Sequence, residues 1–226
     1  MDLKKEAARL ACTYVNDHSS IGLGDGSTVR QLGAFLIEKI NTGLNVRVYT
    51  SSFSTQDFLE AAGVKVTDIS TAEKLDLYFD GCDQIDHQLN ALKSGSGIHT
   101  MEKLFASMAG KFIIMGDTQK YVSKLDSKYP LVMEVLPQAV SYVRREIQLL
   151  YPDAKLSIRK SVKDENKPEL TRNGNLLLDC LFLVWPDAAM VQHETKSIAG
   201  VVEISLFHKL VNEAIIAGND GILKYA

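Results

Sequence analysis

The 226-residue sequence predicts an α/β fold, in which a domain with a mostly parallel sheet is interrupted by a small α+β domain. In residues 1–125, strand-like apolar segments alternate with amphipathic helical patterns, which is the order of βαβ units. Near residue 126 the pattern changes, because Ser127-Lys-Tyr-Pro130 is turn-like and strand, helix and hairpin signals follow it. A chain of this length forms one large domain or two small ones.

The first part contains alternating helix and strand signals. Apolar residues at helical spacing predict a helix over 3–15, and the apolar stretch 20–24 predicts a strand that runs into a glycine loop. A second helical pattern covers 29–40. Alternation, caps and periodicity predict the remaining elements as strand 44–49, a helix from Ser54 or Thr55 to Ala62, strands 64–69 and 75–79, helix 100–109 and strand 112–115.

Residues 126–199 are predicted to form the inserted domain, of about 70 residues. Its clearest signal is Thr171-Arg-Asn-Gly-Asn175 before an apolar run, which is typical of a β-hairpin. The predicted elements are strand 131–136, helix 138–150, strand 155–162, strand 176–185 and helix 188–198. Residues 200–226 are expected to return to the first sheet, so that residues 1–125 and 200–226 form the main domain.

Composition excludes several classes of protein. Hydrophobic residues make up 46% and charged residues 23%, as in ordinary folded proteins. The net charge of −3 argues against nucleic-acid binding, which needs a basic surface. The sequence lacks a membrane span and the apolar centre of a signal peptide, so we expect a cytoplasmic protein with no membrane partner. Cys12, Cys82 and Cys180 lack the spacing of a zinc site, and we expect reduced thiols, no metal and no cofactor.

The glycine loop Gly22-Leu-Gly-Asp-Gly-Ser-Thr28 lies between a predicted strand and a predicted helix, where phosphate-binding loops occur. It differs from a dinucleotide fingerprint, because Ser27 takes the place of the third glycine, and it has no Walker lysine. A small-anion site remains, with the hydroxyls of Ser27 and Thr28 added to backbone donors. A tight turn with a Ser or Thr helix cap explains the same loop equally well.

A second group of polar residues lies between 80 and 120. Asp80 and Asp83 directly follow a buried strand, so they should emerge at the carboxyl edge of the sheet, where α/β proteins bind ligands. Lys93 stands in a flexible loop, and Glu102 falls in the first turn of the next helix. Such a cluster suits proton transfer. The alternatives are a metal loop or plain surface acids, although Ile85 occupies a liganding position of a calcium loop.

Together these motifs closely resemble the type A ribose-5-phosphate isomerases, and the resemblance spans essentially the whole chain. The motifs that carry it are the glycine loop, Asp80-Gly-Cys-Asp83, Lys93-Ser-Gly-Ser96, Glu102-Lys103, Lys120, Leu136-Pro137, Asn173-Gly-Asn175 and Gly200-Val-Val-Glu203. The resemblance implies a Rossmann-like main domain, a ferredoxin-like lid domain, and interconversion of ribose 5-phosphate and ribulose 5-phosphate in the non-oxidative pentose phosphate pathway. It also implies a homodimer or homotetramer and a reaction without metal.

The family pattern assigns a role to each matching position. Glu102 would be the base that moves a proton between C2 and C1 through an enediolate, while Asp80, Asp83 and Lys93 would handle hydroxyl protons, ring opening and the developing oxyanion. The remaining substrate-binding positions would be Lys4, Asp25, Gly26, Ser27, Thr28, Gly81, Cys82, Ser94, Gly95, Ser96 and Lys120. His99, Glu203 and Asp220 are left outside the predicted site.

Three segments depart from the family pattern. Asp25 stands where the family usually has Thr, Ser94 and Ser96 stand in a loop that is usually KGGG, and DGADE appears as Asp80-Gly-Cys-Asp-Gln84. A carboxylate about 6 Å from a phosphate would oppose binding by about 4–5 kcal/mol at an effective dielectric near 20. The hypotheses are therefore a working isomerase, a diverged paralogue for another sugar or sugar phosphate, and a non-catalytic phosphosugar sensor.

Overall fold

The structure is a computed structural model that describes residues 2–226. Helices cover the sheets. They are α1 (Leu3–Ala11), α2 (Ser27–Asn41), α3 (Phe53–Ala61), α4 (His99–Met108), α5 (Val140–Leu150) and α6 (Ala188–Lys196), with 3-10 turns at Cys12–Tyr14, Ile69–Thr71 and Pro137–Ala139. None of the helices in residues 2–226 is both long enough and apolar enough to cross a membrane.

The strands belong to three sheets. They are β1 (Ser20–Leu23), β2 (Arg47–Thr50), β3 (Leu75–Asp80), β4 (Gln84–Asp86), β5 (Ala91–Leu92), β6 (Ala109–Asp117), β7 (Tyr121–Val122), β8 (Leu131–Val135), β9 (Lys155–Ile158), β10 (Leu176–Leu181), β11 (Val201–Ile204), β12 (Leu206–Phe207), β13 (Glu213–Gly218) and β14 (Gly221–Tyr225).

The main sheet has six strands in the order β14-β13-β6-β3-β1-β2, all parallel except β14. Alternate residues of its central strands enter two different cores. Phe79 packs into a core with α1, α2 and α3 on one face, whereas Tyr78 packs against Phe105 of α4 on the other. A parallel sheet buried on both faces confirms the predicted α/β class.

The small domain forms a four-stranded antiparallel sheet in the order β11-β8-β10-β9. With α5 and α6 its order is βαββαβ, the ferredoxin-like arrangement. The prediction that all of 200–226 returns to the main sheet is wrong for Val201–Ile204, which pairs with the free edge of β8, and for Leu206–Phe207, which pairs with β5. The division into two domains otherwise stays a prediction.

Other differences are local. Residues 64–69 were expected to form a strand, but Val66 makes only an isolated bridge to Val48, and a 3-10 turn begins at Ile69. The helix expected to begin at Ser54 or Thr55 begins at Phe53, because the Ser52 hydroxyl accepts from the Thr55 amide. A third sheet, in the order β12-β5-β4-β7, has strands of two or three residues, too short for alternation to reveal.

Candidate active site

A cavity of about 220 Å³ lies at the carboxyl edge of the main sheet. The adjacent strands β1, β3 and β6 end there, and they deliver the glycine loop, the Asp80 loop and Asp117 to one place. The volume lies below the roughly 300–1,000 Å³ of sites for drug-sized ligands, which suits a small ligand. The predicted residues that line it are Lys4, Asp25, Gly26, Ser27, Thr28, Gly81, Cys82, Asp83, Lys93, Gly95, Ser96, Glu102 and Lys120.

The chemical centre of the cavity is a buried lysine between two buried carboxylates. Lys93 Nζ lies 3.0 Å from Asp80 Oδ2 and 3.3 Å from Glu102 Oε1, and it donates to the Gly81 carbonyl at 2.6 Å. The other oxygen of Glu102, Oε2, is buried and has no hydrogen-bond partner within residues 2–226. Glu102 thus has one oxygen fixed by a cation and one free to accept a proton.

Burial and neighbouring charges shift the pKa values of this cluster. Burial is the largest influence on Glu102 and, with the Asp80 charge, raises its pKa to about 8 against the opposing effect of Lys93. Burial alone would lower the pKa of Lys93, but the carboxylates of Asp80 and Glu102 outweigh it and raise that pKa above its ordinary value. The lysine therefore stays charged while Glu102 titrates near neutral pH, which suits a general base.

Asp80 lies beneath the cavity and does not line it, unlike the other predicted catalytic residues. It is fully buried, and its oxygens accept from the Tyr78 hydroxyl at 2.5 Å, the Gly81 amide at 2.7 Å and the Asp25 amide at 3.2 Å. A Cβ on Gly24 would fall 2.0 Å from the Asp80 carboxyl carbon, so glycine is required there. Asp80 is thus placed to hold Lys93.

Asp83 organises the loop that follows Lys93. Its Oδ2 accepts from the amides of Ser94 at 2.6 Å and Gly95 at 2.9 Å. The Ser94 hydroxyl donates to the Pro130 carbonyl at 2.5 Å, so this predicted binding residue turns away from the cavity, whereas Gly95 and Ser96 line it. The hydroxyl of Ser94 therefore anchors the loop to the segment that precedes β8.

The opposite end of the cavity can bind an anion. It contains the N-terminus of α2, where no side chain among the described residues caps the free amides. Lys4 Nζ donates to the Ser27 hydroxyl at 3.0 Å, and Thr28 and Lys120 line the same cavity. Amides at a helix N-terminus, hydroxyls and ammonium groups together favour a phosphate.

Asp25 lines the same cavity and neither caps α2 nor pairs with a lysine. Its Oδ1 accepts from the Ser52 hydroxyl at 2.7 Å, so the carboxylate is tied to the N-terminus of α3. Thr55, in the first turn of α3, donates its hydroxyl to the Gly24 carbonyl at 2.8 Å. Asp25 therefore keeps a negative charge at the wall of the cavity.

Three lining residues escape the sequence analysis, namely Met115, Gly116 and Asp117. They end β6, the strand beside β3, so the carboxyl-edge rule applied to 112–115 could have found them. Cys82 lines the cavity as predicted, and burial raises the pKa of its thiol to about 12. The thiol is thus protonated at neutral pH.

This architecture, with titratable groups gathered at the carboxyl edge of a parallel sheet, defines an α/β enzyme. A model of the family ribose 5-phosphate isomerase A (phosphoriboisomerase A) matches residues 47–221. Ribose-5-phosphate isomerase A 1 of Oceanobacillus iheyensis is 36% identical over 97% of this chain and 96% of its own. The chain belongs to the ribose 5-phosphate isomerase A family.

Solved structures of ribose 5-phosphate isomerases support the same family assignment. Ribose 5-phosphate isomerase A from Methanocaldococcus jannaschii superposes with a TM-score of 0.91 at 31% identity, over 99% of this chain and 97% of that one. A D-ribose-5-phosphate isomerase in complex with phospho-erythronic acid gives a TM-score of 0.92 at 30% identity, with the same coverage. The resemblance found in the sequence is confirmed.

Proposed function

We propose that this chain interconverts D-ribose 5-phosphate and D-ribulose 5-phosphate through an enediolate, with Glu102 as the base. The observation that carries the proposal is the pairing of Glu102 with Lys93 in a cavity whose other end is built for an anion. Phospho-erythronic acid, bound by one of the similar structures, combines a phosphate with a carboxylate whose two oxygens resemble an enediolate.

The reaction moves one proton between carbons and one between oxygens. Glu102 takes the proton from C2 of the open-chain aldose, the C1–C2 double bond forms, and the carbonyl electrons move onto O1. Glu102 then returns the proton to C1, while the O2 hydroxyl proton passes to O1 and leaves a ketone at C2. A positioned base contributes roughly 10²–10⁴-fold to such a step.

Lys93 supplies the electrostatic part. Its ammonium is buried beside Glu102 and can stabilise the negative oxygen of the enediolate. Asp80 fixes Lys93 from beneath and is assigned as a positioning residue. Asp83, which lines the cavity, is assigned to the hydroxyl protons and ring opening.

The phosphate is assigned to the N-terminus of α2, with Ser27, Thr28, Lys4 and Lys120. Binding the phosphate away from C1 and C2 provides orientation energy that is used at the reacting carbons. A cytoplasmic location and assembly as a homodimer or homotetramer remain predictions of the sequence analysis.

The test is turnover of ribose 5-phosphate by the wild type and by Glu102→Gln. We expect the variant to lose about 10²–10⁴-fold in kcat, whereas the control Glu194→Gln, on α6 of the small domain, stays at the wild-type level. An inert wild type, or a Glu102→Gln variant within tenfold of it, would contradict the proposal. In D2O the product should carry deuterium at C1, to the extent that the proton held by Glu102 exchanges with solvent before it is returned.

A further inference from the structure

The helix that carries Glu102 also carries two buried polar side chains with no part in the reaction described above. His99 is fully buried and Lys103 is 7% exposed, and both belong to α4. Burying a lysine is costly unless the charge is paired, so the partners of Lys103 deserve an explanation. Both side chains contact the segment Glu203–Phe207, which leads from the small domain to the main domain.

Lys103 binds this segment at three points. Its Nζ lies 2.9 Å from Glu203 Oε1, donates to the Ile204 carbonyl at 2.6 Å, and stands 5.1 Å from the centroid of the Phe207 ring. One turn earlier, His99 Nε2 lies 3.3 Å from the Glu203 carbonyl oxygen. The first turn of α4, which contains Glu102, is therefore fixed to this segment on both sides of the base.

The same segment also holds Lys93. The Lys93 amide donates to the Ser205 carbonyl at 2.9 Å, and Lys93 Nζ lies 6.0 Å from the Phe207 ring centroid. One short stretch of the chain thus contacts Lys93 directly and, through His99 and Lys103, the helix that carries Glu102. A rotation or shift of α4 relative to this stretch would lengthen the 3.3 Å contact between them.

We propose that Lys103 and Glu203 are positioning residues, whose ion pair holds α4 in the orientation that keeps Glu102 against Lys93. The inference rests on the function proposed above. Buried ion pairs contribute little net stability compared with apolar replacements, so the main effect of this one is on geometry. A misplacement of about 1 Å at a reacting group can cost roughly a hundredfold in rate.

Because Lys103 is charged, its positioning role should make the activity depend on pH, whereas a role in packing alone would not. Burial, its largest influence, lowers the pKa of Lys103 to about 8 despite the opposing effect of Glu203. The positioning pair therefore breaks as the pH rises above that value. The other titratable groups around it are Lys196 on α6, His99 and Glu102 on α4, Glu134 on β8 and Lys93.

His99 does not confuse this readout. Burial, together with the charge of Lys103, lowers the pKa of His99 to about 4, so the ring is neutral throughout the working range. Lys196 lies 3.4 Å from Glu203 Oε2 and stays as a second partner when Lys103 is replaced. Removing Lys103 therefore leaves Glu203 paired, which favours a folded variant.

The experiment measures kcat and KM for ribose 5-phosphate from pH 6 to 10, and the melting temperature, for the wild type, Lys103→Met, Lys103→Arg and Glu203→Gln. We expect Lys103→Met to lose at least tenfold in kcat with KM changed less than threefold. Arginine stays charged, so Lys103→Arg should move the alkaline limb of the kcat profile upward by about one pH unit or more. Glu203→Gln breaks the ion pair at every pH, so we expect it to lose at least tenfold in kcat, as Lys103→Met does.

The matched control is Lys111→Met, which breaks a lysine–glutamate pair with Glu213 in the main sheet, away from the cavity. It should keep the wild-type kcat and profile. An active wild type with an unchanged alkaline limb in Lys103→Arg, or a fully active Lys103→Met or Glu203→Gln, would overturn the inference. An inert wild type would instead overturn the proposed function.

Discussion

Replacing Lys93 by methionine tests the electrostatic reasoning most directly. Its ammonium lies 3.3 Å from Glu102 Oε1, a separation that corresponds to about 5 kcal/mol at an effective dielectric near 20. Burial already raises the pKa of Glu102 to about 8, and Lys93 is the main group that holds it down. Without the ammonium, Glu102 becomes protonated throughout the neutral range.

The size of the effect follows from this energy. A loss of about 5 kcal/mol lowers the ionised fraction of Glu102 at pH 7.5 by roughly a thousandfold, and loss of the oxyanion partner removes a further factor of about 10²–10³. We therefore expect Lys93→Met to lower kcat/KM at pH 7.5 by more than a thousandfold. Its activity should still be rising at pH 10.

The assay is kcat/KM for ribose 5-phosphate from pH 6 to 10, with Lys111→Met as the control and circular dichroism to confirm folding. A folded Lys93→Met variant within tenfold of the wild type at pH 7.5 would refute the reasoning. A pH profile with an unchanged midpoint would refute the assigned coupling between Lys93 and Glu102.

Three more predictions concern the same site. The pKa of Glu102 is about 8 in the folded chain, above its unfolded value, so the stability that protonated Glu102 contributes is present at low pH and is lost as pH rises to about 8. The melting temperature of Glu102→Gln should therefore rise relative to that of the wild type between pH 5 and 8. Parallel curves of melting temperature against pH would contradict this. Asp25→Thr removes a carboxylate from the cavity wall and should lower KM for ribose 5-phosphate at least tenfold, so an unchanged KM would show that Asp25 does not oppose the phosphate. Gly24→Ala should lower the free energy of unfolding by about 1–3 kcal/mol in denaturant titrations, because the new Cβ would lie 2.0 Å from the Asp80 side chain. The control Gly110→Ala, whose Cβ would lie 3.4 Å from its nearest contact, should lower the free energy of unfolding by less.

The sequence predicted the site well where the chemistry depends on strand ends. Asp83 is expected at the carboxyl edge of the sheet because it follows a buried strand, and it lines the cavity. Lys93 and Glu102, expected in the loop and the helix that come next, line the same cavity. Asp80 obeys the same rule, but whether its carboxylate faces the ligand or the protein depends on Gly24, which follows another strand, β1. Local patterns carry no information about that contact.

Long-range pairing explains the errors in the fold. Val201–Ile204 forms a strand in the structure, and the sheet that it joins is decided by the free edge of β8 and not by its own residues. Residues 64–69 alternate like a strand, but they make only an isolated bridge at Val66 beside β2.

By itself the sequence determined the α/β class, the order of most elements, the family and the residue types of the reaction, because periodicity and motif spacing are local properties. Only the tertiary structure decided that Asp80 lies beneath the cavity, that Ser52 binds Asp25, and that Lys103 and Glu203 join the helix of the base to the neighbouring segment. These contacts link residues far apart in the chain. Burial and distance, which set both the pKa of Glu102 and its pairing with Lys93, exist only once the chain has folded.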